Sequence, residues 1–316
     1  MKKYLLPALM VLLLPLAACA PTQSPTPALE TPLALATSLP APTSTPTPRG
    51  LTVCLGREPN TLYIYGNPNS AARSVLAAIY DGPVDIISYD YQPVILERRP
   101  SFANGDARIA NVEVRRGDVI VDANGLLRPL DFGVRVRPAG CNALDCAIEY
   151  QGGAINMDQM VVTFTLLPDL TWSDGAPLTA YDSVYAFQLD AHPDTPTSKY
   201  LTDRTYTYEA VDTLAVEWWG VPGFIYQDYP SAFWQPLPKH LLEQTAPADL
   251  PQDPAASRAP VGWGPYVLRE WLPGERIVLD KNPTYFRASE GLPAFDFVTY
   301  RFVDSLDQAI ADLQTG

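Results

Sequence analysis

Apolar positions along the chain change period repeatedly, and each change marks an element. Leu51-Thr-Val-Cys-Leu55 is an apolar run of strand length. Ser70 to Tyr80 carries Val75, Ile79 and Tyr80 on one helical face, with Ser70 able to cap it. Asn111 to Arg116 alternates as a strand, and Gly117 to Asp122 reads as another, entering a turn at Asn124-Gly125. Val161 to Leu166 is a strand that stops before Pro168. Thr179 to Asp190 is helical, with Thr179 at the cap and Asp182 three residues on, a box-like pairing. Tyr208 to Trp219 alternates through Val211, Leu214, Val216 and Trp218, with the register slipping near Thr213. Pro265–Leu268 and Arg276–Leu279 form a hairpin around Pro273-Gly274. Phe295 to Val303 is a strand, and Leu306 to Thr315 a helix stopping at Gly316. Mixed strands and helices exclude an all-α bundle and predict an α/β (mixed α+β) chain.

The first residues have a different character. Lys2 and Lys3 precede an apolar core from Leu5 to Leu16, and Leu16-Ala-Ala-Cys19 ends it. A basic start, a short apolar stretch and small residues before a cut describe a secretory signal over 1–18. The stretch falls short of the roughly 20 residues a membrane span needs. Residues 20–49 hold eight prolines, seven threonines and three serines. Such a segment cannot bury a core and extends as a tether, 19–49 counted from the cysteine. At about 3.1 Å per residue it could reach roughly 90 Å. From residue 50 onward the composition is globular.

Charge and cysteine use narrow the function. With 22 basic against 35 acidic residues, the chain carries −13. Bulk electrostatics therefore disfavours nucleic acid and anionic lipid, and a membrane tie must be covalent. An acidic body is compatible with cationic or zwitterionic ligands. Cys141 and Cys146 can close a small disulfide loop in an oxidising compartment; the alternatives are free thiols or pairing with Cys54. With two histidines and no CxxC spacing, a zinc site is not expected, and neither is a cofactor. No Gly-x-Ser-x-Gly elbow, His-Glu-x-x-His or P-loop lysine occurs. Asp169 and Asp174 are the tempting carboxylate couple, yet both sit in turn chemistry. His240 reads as a first-turn surface residue. The chain is expected not to be an enzyme.

Leu16-Ala-Ala-Cys19 resembles a bacterial lipobox, which implies cleavage before Cys19 and lipid on it. Three further segments, in order, resemble the bacterial extracellular solute-binding proteins of family 5. The first is Phe164-Thr-Leu-Leu-Pro-Asp-Leu-Thr-Trp-Ser-Asp-Gly-Ala-Pro-Leu-Thr-Ala-Tyr-Asp-Ser-Val-Tyr-Ala-Phe187. The second is Pro260-Val-Gly-Trp-Gly-Pro-Tyr266 with Lys281-Asn-Pro-Thr-Tyr-Phe286, where the family reads P-V-G-T-G-P-Y and N-P-x-Y-W/F. The third runs from Leu292-Pro293 through Tyr300-Arg-Phe302 to a helix at Gly316. Residues 85–160 match poorly and suggest a β-rich elaboration peculiar to a subgroup.

The resemblance implies residues 50–316 as the first lobe of a two-lobe, periplasmic-binding-protein-like clamp closing on a peptide or other small solute. It implies ABC permease subunits as partners, and an extracytoplasmic, lipid-anchored location. The family's second lobe does not occur in the sequence, so a fragment of a longer product, or a one-lobed interaction module, is also expected. Candidate ligand contacts follow by resemblance: Tyr65, Asn67, Asn69 and Ser70 in the loop before the first helix, Tyr200, and Trp263. Trp263 stands where the family often has a small residue or threonine, and is either a stacking surface or a plug. Trp172 is a lid on the Ser173-Asp174-Gly175 turn or a ligand platform. The aromatic run from Trp218 to Trp234 lines a cleft or packs a core.

Overall fold

The computed structural model describes residues 47–87 and 89–315. The expected signal segment, Cys19 and the expected tether through residue 46 lie outside the described residues. In chain order, β1 (Gly50–Leu55) leads to α1 (Ser70–Ile79), then β2 (Val84–Ile87), β3 (Asp90–Pro93) and β4 (Ala107–Val114). Short hairpin strands follow: β5 (Val119–Val121), β6 (Leu127–Pro129), β7 (Arg135–Val136) and β8 (Ile148–Glu149). Next come the long β9 (Ile155–Thr165), α2 (Ala180–Ala191), β10 (Thr205–Ala210) and β11 (Ala215–Gly220). The last third holds α3 (Lys239–Leu242), α4 (Pro254–Ser257), β12 (Tyr266–Leu272), β13 (Arg276–Lys281), β14 (Phe297–Phe302) and α5 (Leu306–Thr315).

Two four-stranded sheets organise these elements, in the orders β1-β14-β13-β12 and β10-β11-β9-β4. In the first sheet β1 and β14 run parallel, Gly50 opposite Phe297 and Leu55 opposite Phe302. One continuous core joins α1, α2 and both sheets through residues such as Ile79, Phe164, Trp218 and Ile277. Seven residues, among them Ile120, Leu130, Val136 and Met157, form a second, smaller core under the hairpins. The stretch over residues 85–160 thus has its own apolar centre, yet it is not set apart. Its strand β4 pairs antiparallel with β9 from Ala107–Val162 to Val114–Ile155.

Local chemistry explains the element ends. The Asp182 carboxylate accepts the Thr179 backbone N–H at 2.8 Å, the box-like pairing expected at the start of α2. The α1 cap differs from expectation. It is Asn69 rather than Ser70, its Oδ1 accepting the Ala72 N–H at 2.8 Å. The stretch from Tyr208 to Trp219 is not one slipping strand but the β10–β11 hairpin. Asp212 Oδ1 accepts the N–H groups of Leu214 and Ala215 at 2.7 and 2.8 Å and so makes the turn.

Cys141 and Cys146 are joined by a disulfide, with their Cα atoms 5.7 Å apart, and Cys54 is free and half-buried. Closing so short a loop removes little unfolded-state entropy. Cys146→Ser should therefore lower unfolding free energy by about 2 kcal/mol, readable by urea titration.

Candidate functional site

The loop before α1 is held by its own polar groups. Asn60 donates from Nδ2 to the Asn67 carbonyl at 3.1 Å and accepts the Asn69 N–H at 2.9 Å. Asn69 also donates to the Glu58 carbonyl at 3.0 Å. The Tyr65 hydroxyl donates to the Ala186 carbonyl on α2 at 3.1 Å. Burial, then the neighbouring Asp190 charge, pushes that phenol well up. Tyr65 and Asn69 therefore position this loop, while Asn67 and Ser70 are exposed.

Beside the loop lies a cavity of about 370 Å³, walled by Ile64, Pro68, Arg73, Leu76, Tyr80, Asp81, Asp85 and Gln235 among others. Its floor is tied down from the later part of the chain. The Trp263 indole N–H donates to the Asp81 carbonyl at 2.7 Å. The Asp81 carboxylate accepts the Tyr285 hydroxyl and lies 3.8 Å from Arg287. Burial and the Asp81 charge push the Asp85 carboxyl up, partly offset by Arg287. The wall thus carries an arginine and two acids beside apolar surface, a mixture able to meet both ends of a zwitterion.

Tyr200 stands apart, 55 % exposed. The Arg204 guanidinium lies 4.2 Å over its ring, and the Phe224 ring meets it edge-on at 6.2 Å. What holds its loop was not legible in the sequence. The Lys199 ammonium donates to the carbonyls of Asp190, His192 and Thr195, the last two at 2.9 Å. That cluster fixes the turn from which Tyr200 projects.

Trp263 is not a solvent-facing platform. It is 1 % exposed, packed on Tyr80 and Trp172 with ring centroids 5.0 and 5.5 Å away. Its ring partners and those of Tyr200 form separate sets. Trp172 is fully buried, as a lid on its turn would be. In the aromatic run, Trp218, Phe224, Phe233 and Trp234 are all buried, which makes it chiefly core.

The structure joins Asp174 and His240, which the sequence reading kept apart. His240 Nε2 meets Asp174 Oδ2 at 2.8 Å, and Asp174 also accepts the Ala176 N–H. Partial burial works to raise this carboxyl, but His240 and the backbone donors outweigh it and hold it below its usual value. A depressed folded-state value adds stability above the unfolded carboxyl range, and that stability fades as pH falls. Both groups are about one-third exposed (35 % and 34 %). Asp174→Asn should therefore cost no more than about 1 kcal/mol at neutral pH and nothing in strong acid, by denaturant melts across pH. Among the described residues no group of three His, Cys, Asp or Glu is placed to hold a metal ion. No described helix is long and apolar enough to cross a membrane.

The oligopeptide-binding protein AppA of Bacillus subtilis is 33% identical over 150 residues, 45% of this chain and 26% of its own length. Its structure, in complex with a nonapeptide, superposes with a TM-score of 0.58 at 21% identity, covering 85% of this chain and 44% of that one. The oligopeptide-binding protein from Thermus thermophilus, complexed with a pentapeptide, gives 0.61 at 17% identity, covering 84% and 43%. Periplasmic oligopeptide-binding protein OppA of Escherichia coli is 27% identical over 242 residues, 68% of this chain and 42% of its own length. The chain spans less than half the length of these proteins, and at such identities the structural likeness shows the shared mixed α/β fold. Residues 151–316 match the model of the bacterial extracellular solute-binding proteins, family 5 Middle, more than half of the chain, and the protein belongs to that family.

Proposed function

We propose that this protein captures solute outside the cytoplasm for an ABC importer, with short peptides as the ligand. Family membership carries the reading, because relatives of this family are named as oligopeptide-binding proteins. The ligand meets the exposed Asn67 and Ser70 at the loop before α1 and the projecting Tyr200 ring, and passes on to permease subunits. Lipid on Cys19 holds the protein at the membrane, and the Pro/Thr-rich segment gives it reach.

Calorimetry on the full chain with peptide mixtures of three to nine residues, and with nickel–histidine chelate as the competing class, tests the capture. A saturable heat and a raised melting temperature with peptides are expected. No ligand-linked stabilisation by either set would sink it. Tyr200→Ala should weaken peptide binding roughly tenfold while shifting stability by less than about 0.5 kcal/mol, since the ring is mostly exposed. Cys19→Ala should move the protein from the membrane to the soluble fraction and abolish labelling by a fatty-acid probe. Retention of both would remove the anchor from the proposal.

A further inference from the structure

A second cavity, of about 650 Å³, lies where the stretch over residues 85–160 meets the β10-β11-β9-β4 sheet. It shares no lining residue with the groove beside α1. Its size falls in the range of small-molecule sites. The charged residues lining it are all acidic: Glu113, Asp118 and Asp203. Arg115 pairs with Glu113 at 2.6 Å, and its backbone N–H donates to Asp118 at 2.7 Å. Asp203 makes no ion pair among the described residues. Two aromatic rings, Tyr206 and Trp219, share the wall with valines and a proline. The Trp219 ring already takes a cation: the Arg108 guanidinium lies 5.4 Å from its centroid.

A further observation comes from Gln159, which also lines this cavity and is only 3 % exposed. Its amide nitrogen donates to the Gly220 carbonyl at 2.8 Å. That carbonyl can only accept, so the orientation of the amide is fixed and its oxygen faces the other way. No donor among the described residues reaches that oxygen. The oxygen itself is not sealed from solvent, so it stands as an acceptor open to a donor that enters the cavity.

We propose that this cavity binds a small organic cation carrying a primary ammonium on an apolar body. The ammonium has N–H donors for the Gln159 oxygen and a charge for the Asp203 carboxylate. The apolar body lies against Tyr206, Trp219 and the valines. An anion would meet three carboxylates there, and a neutral alkane would leave the Gln159 oxygen unpaired. The site is independent of peptide capture and can stand or fall without it.

Calorimetric titration of the full chain with 2-phenylethylamine at neutral pH tests the proposal, with 2-phenylethanol as the uncharged counterpart of the same shape. Saturable binding of the amine is expected, at least about tenfold tighter than the alcohol and weakened by salt. Asp203→Asn and Tyr206→Ala alter exposed side chains, and each should weaken the amine roughly fivefold to tenfold. Equal affinity for amine and alcohol, unchanged affinity in both variants, or no saturable heat from the amine would overturn it.

Discussion

Gly262→Ala is expected to cost about 3 kcal/mol, enough to leave the loop before β12 detached from α1. A β-carbon at this position would lie 2.1 Å from the Ile79 carbonyl oxygen and 2.6 Å from the Ile79 Cγ2. Neither neighbour is free to retreat. That carbonyl belongs to the last residue of α1 and accepts the Gly264 N–H at 2.8 Å. Gly264 is equally tight, its added β-carbon 2.5 Å from the same oxygen. The Gly-Trp-Gly spacing thus lets two stretches of backbone touch, with the tryptophan wedged between them and the core. Gly56→Ala serves as the control, since nothing lies within 4 Å of its added carbon. It should change stability by less than about 0.5 kcal/mol in the same urea titration. A Gly262→Ala protein as stable as the control would mean that this contact is not made.

Trp263→Ala should be comparably severe, about 3–5 kcal/mol, because the indole is among the largest fully buried side chains. Part of the loss is packing against Tyr80 and Trp172. Part is the Asp81 carbonyl, left without the indole donor that now reaches it at 2.7 Å. Trp263→Phe separates the two, keeping most of the ring volume and losing the donor, at about 1–2 kcal/mol. Peptide affinity of the folded Phe variant should match that of the parent, because the ring faces inward. Affinity lost at unchanged stability would show that Trp263 touches ligand after all.

What the sequence made legible was local. The β12–β13 hairpin, the Asp182–Thr179 pairing and the Trp172-Ser-Asp-Gly175 turn are each decided within a few residues, by turn and cap chemistry. Their order along the chain was enough to suggest the family. The misreadings are contacts between distant segments, or close competitions between neighbours. Asn69 and Ser70 are both good caps, and Asn69 prevails because Asn60 and Glu58 also hold it. Asp212 hid the β10–β11 turn inside what read as one alternating run. His240 meets Asp174 across 66 residues, and Trp263 reaches Asp81 across 182, so neither pairing has a signature in local pattern. Of the candidate contacts, Tyr200 was legible only through the family resemblance, and the structure leaves its ring 55 % exposed. The Lys199 cluster beneath it was not, because its acceptors are backbone carbonyls.

The parallel pairing of β1 with β14 also bears on how such a chain is made. Arg49, just before β1, donates its backbone N–H to Asp296, 247 positions later. An antiparallel neighbour could close early, whereas β1 has no ladder partner until the segment around Phe297 exists. Sheet completion therefore waits on a stretch far downstream of β1, and closing so long a loop is intrinsically slow. A polypeptide emerging amino end first would keep that edge of the sheet open until the segment around Phe297 arrived.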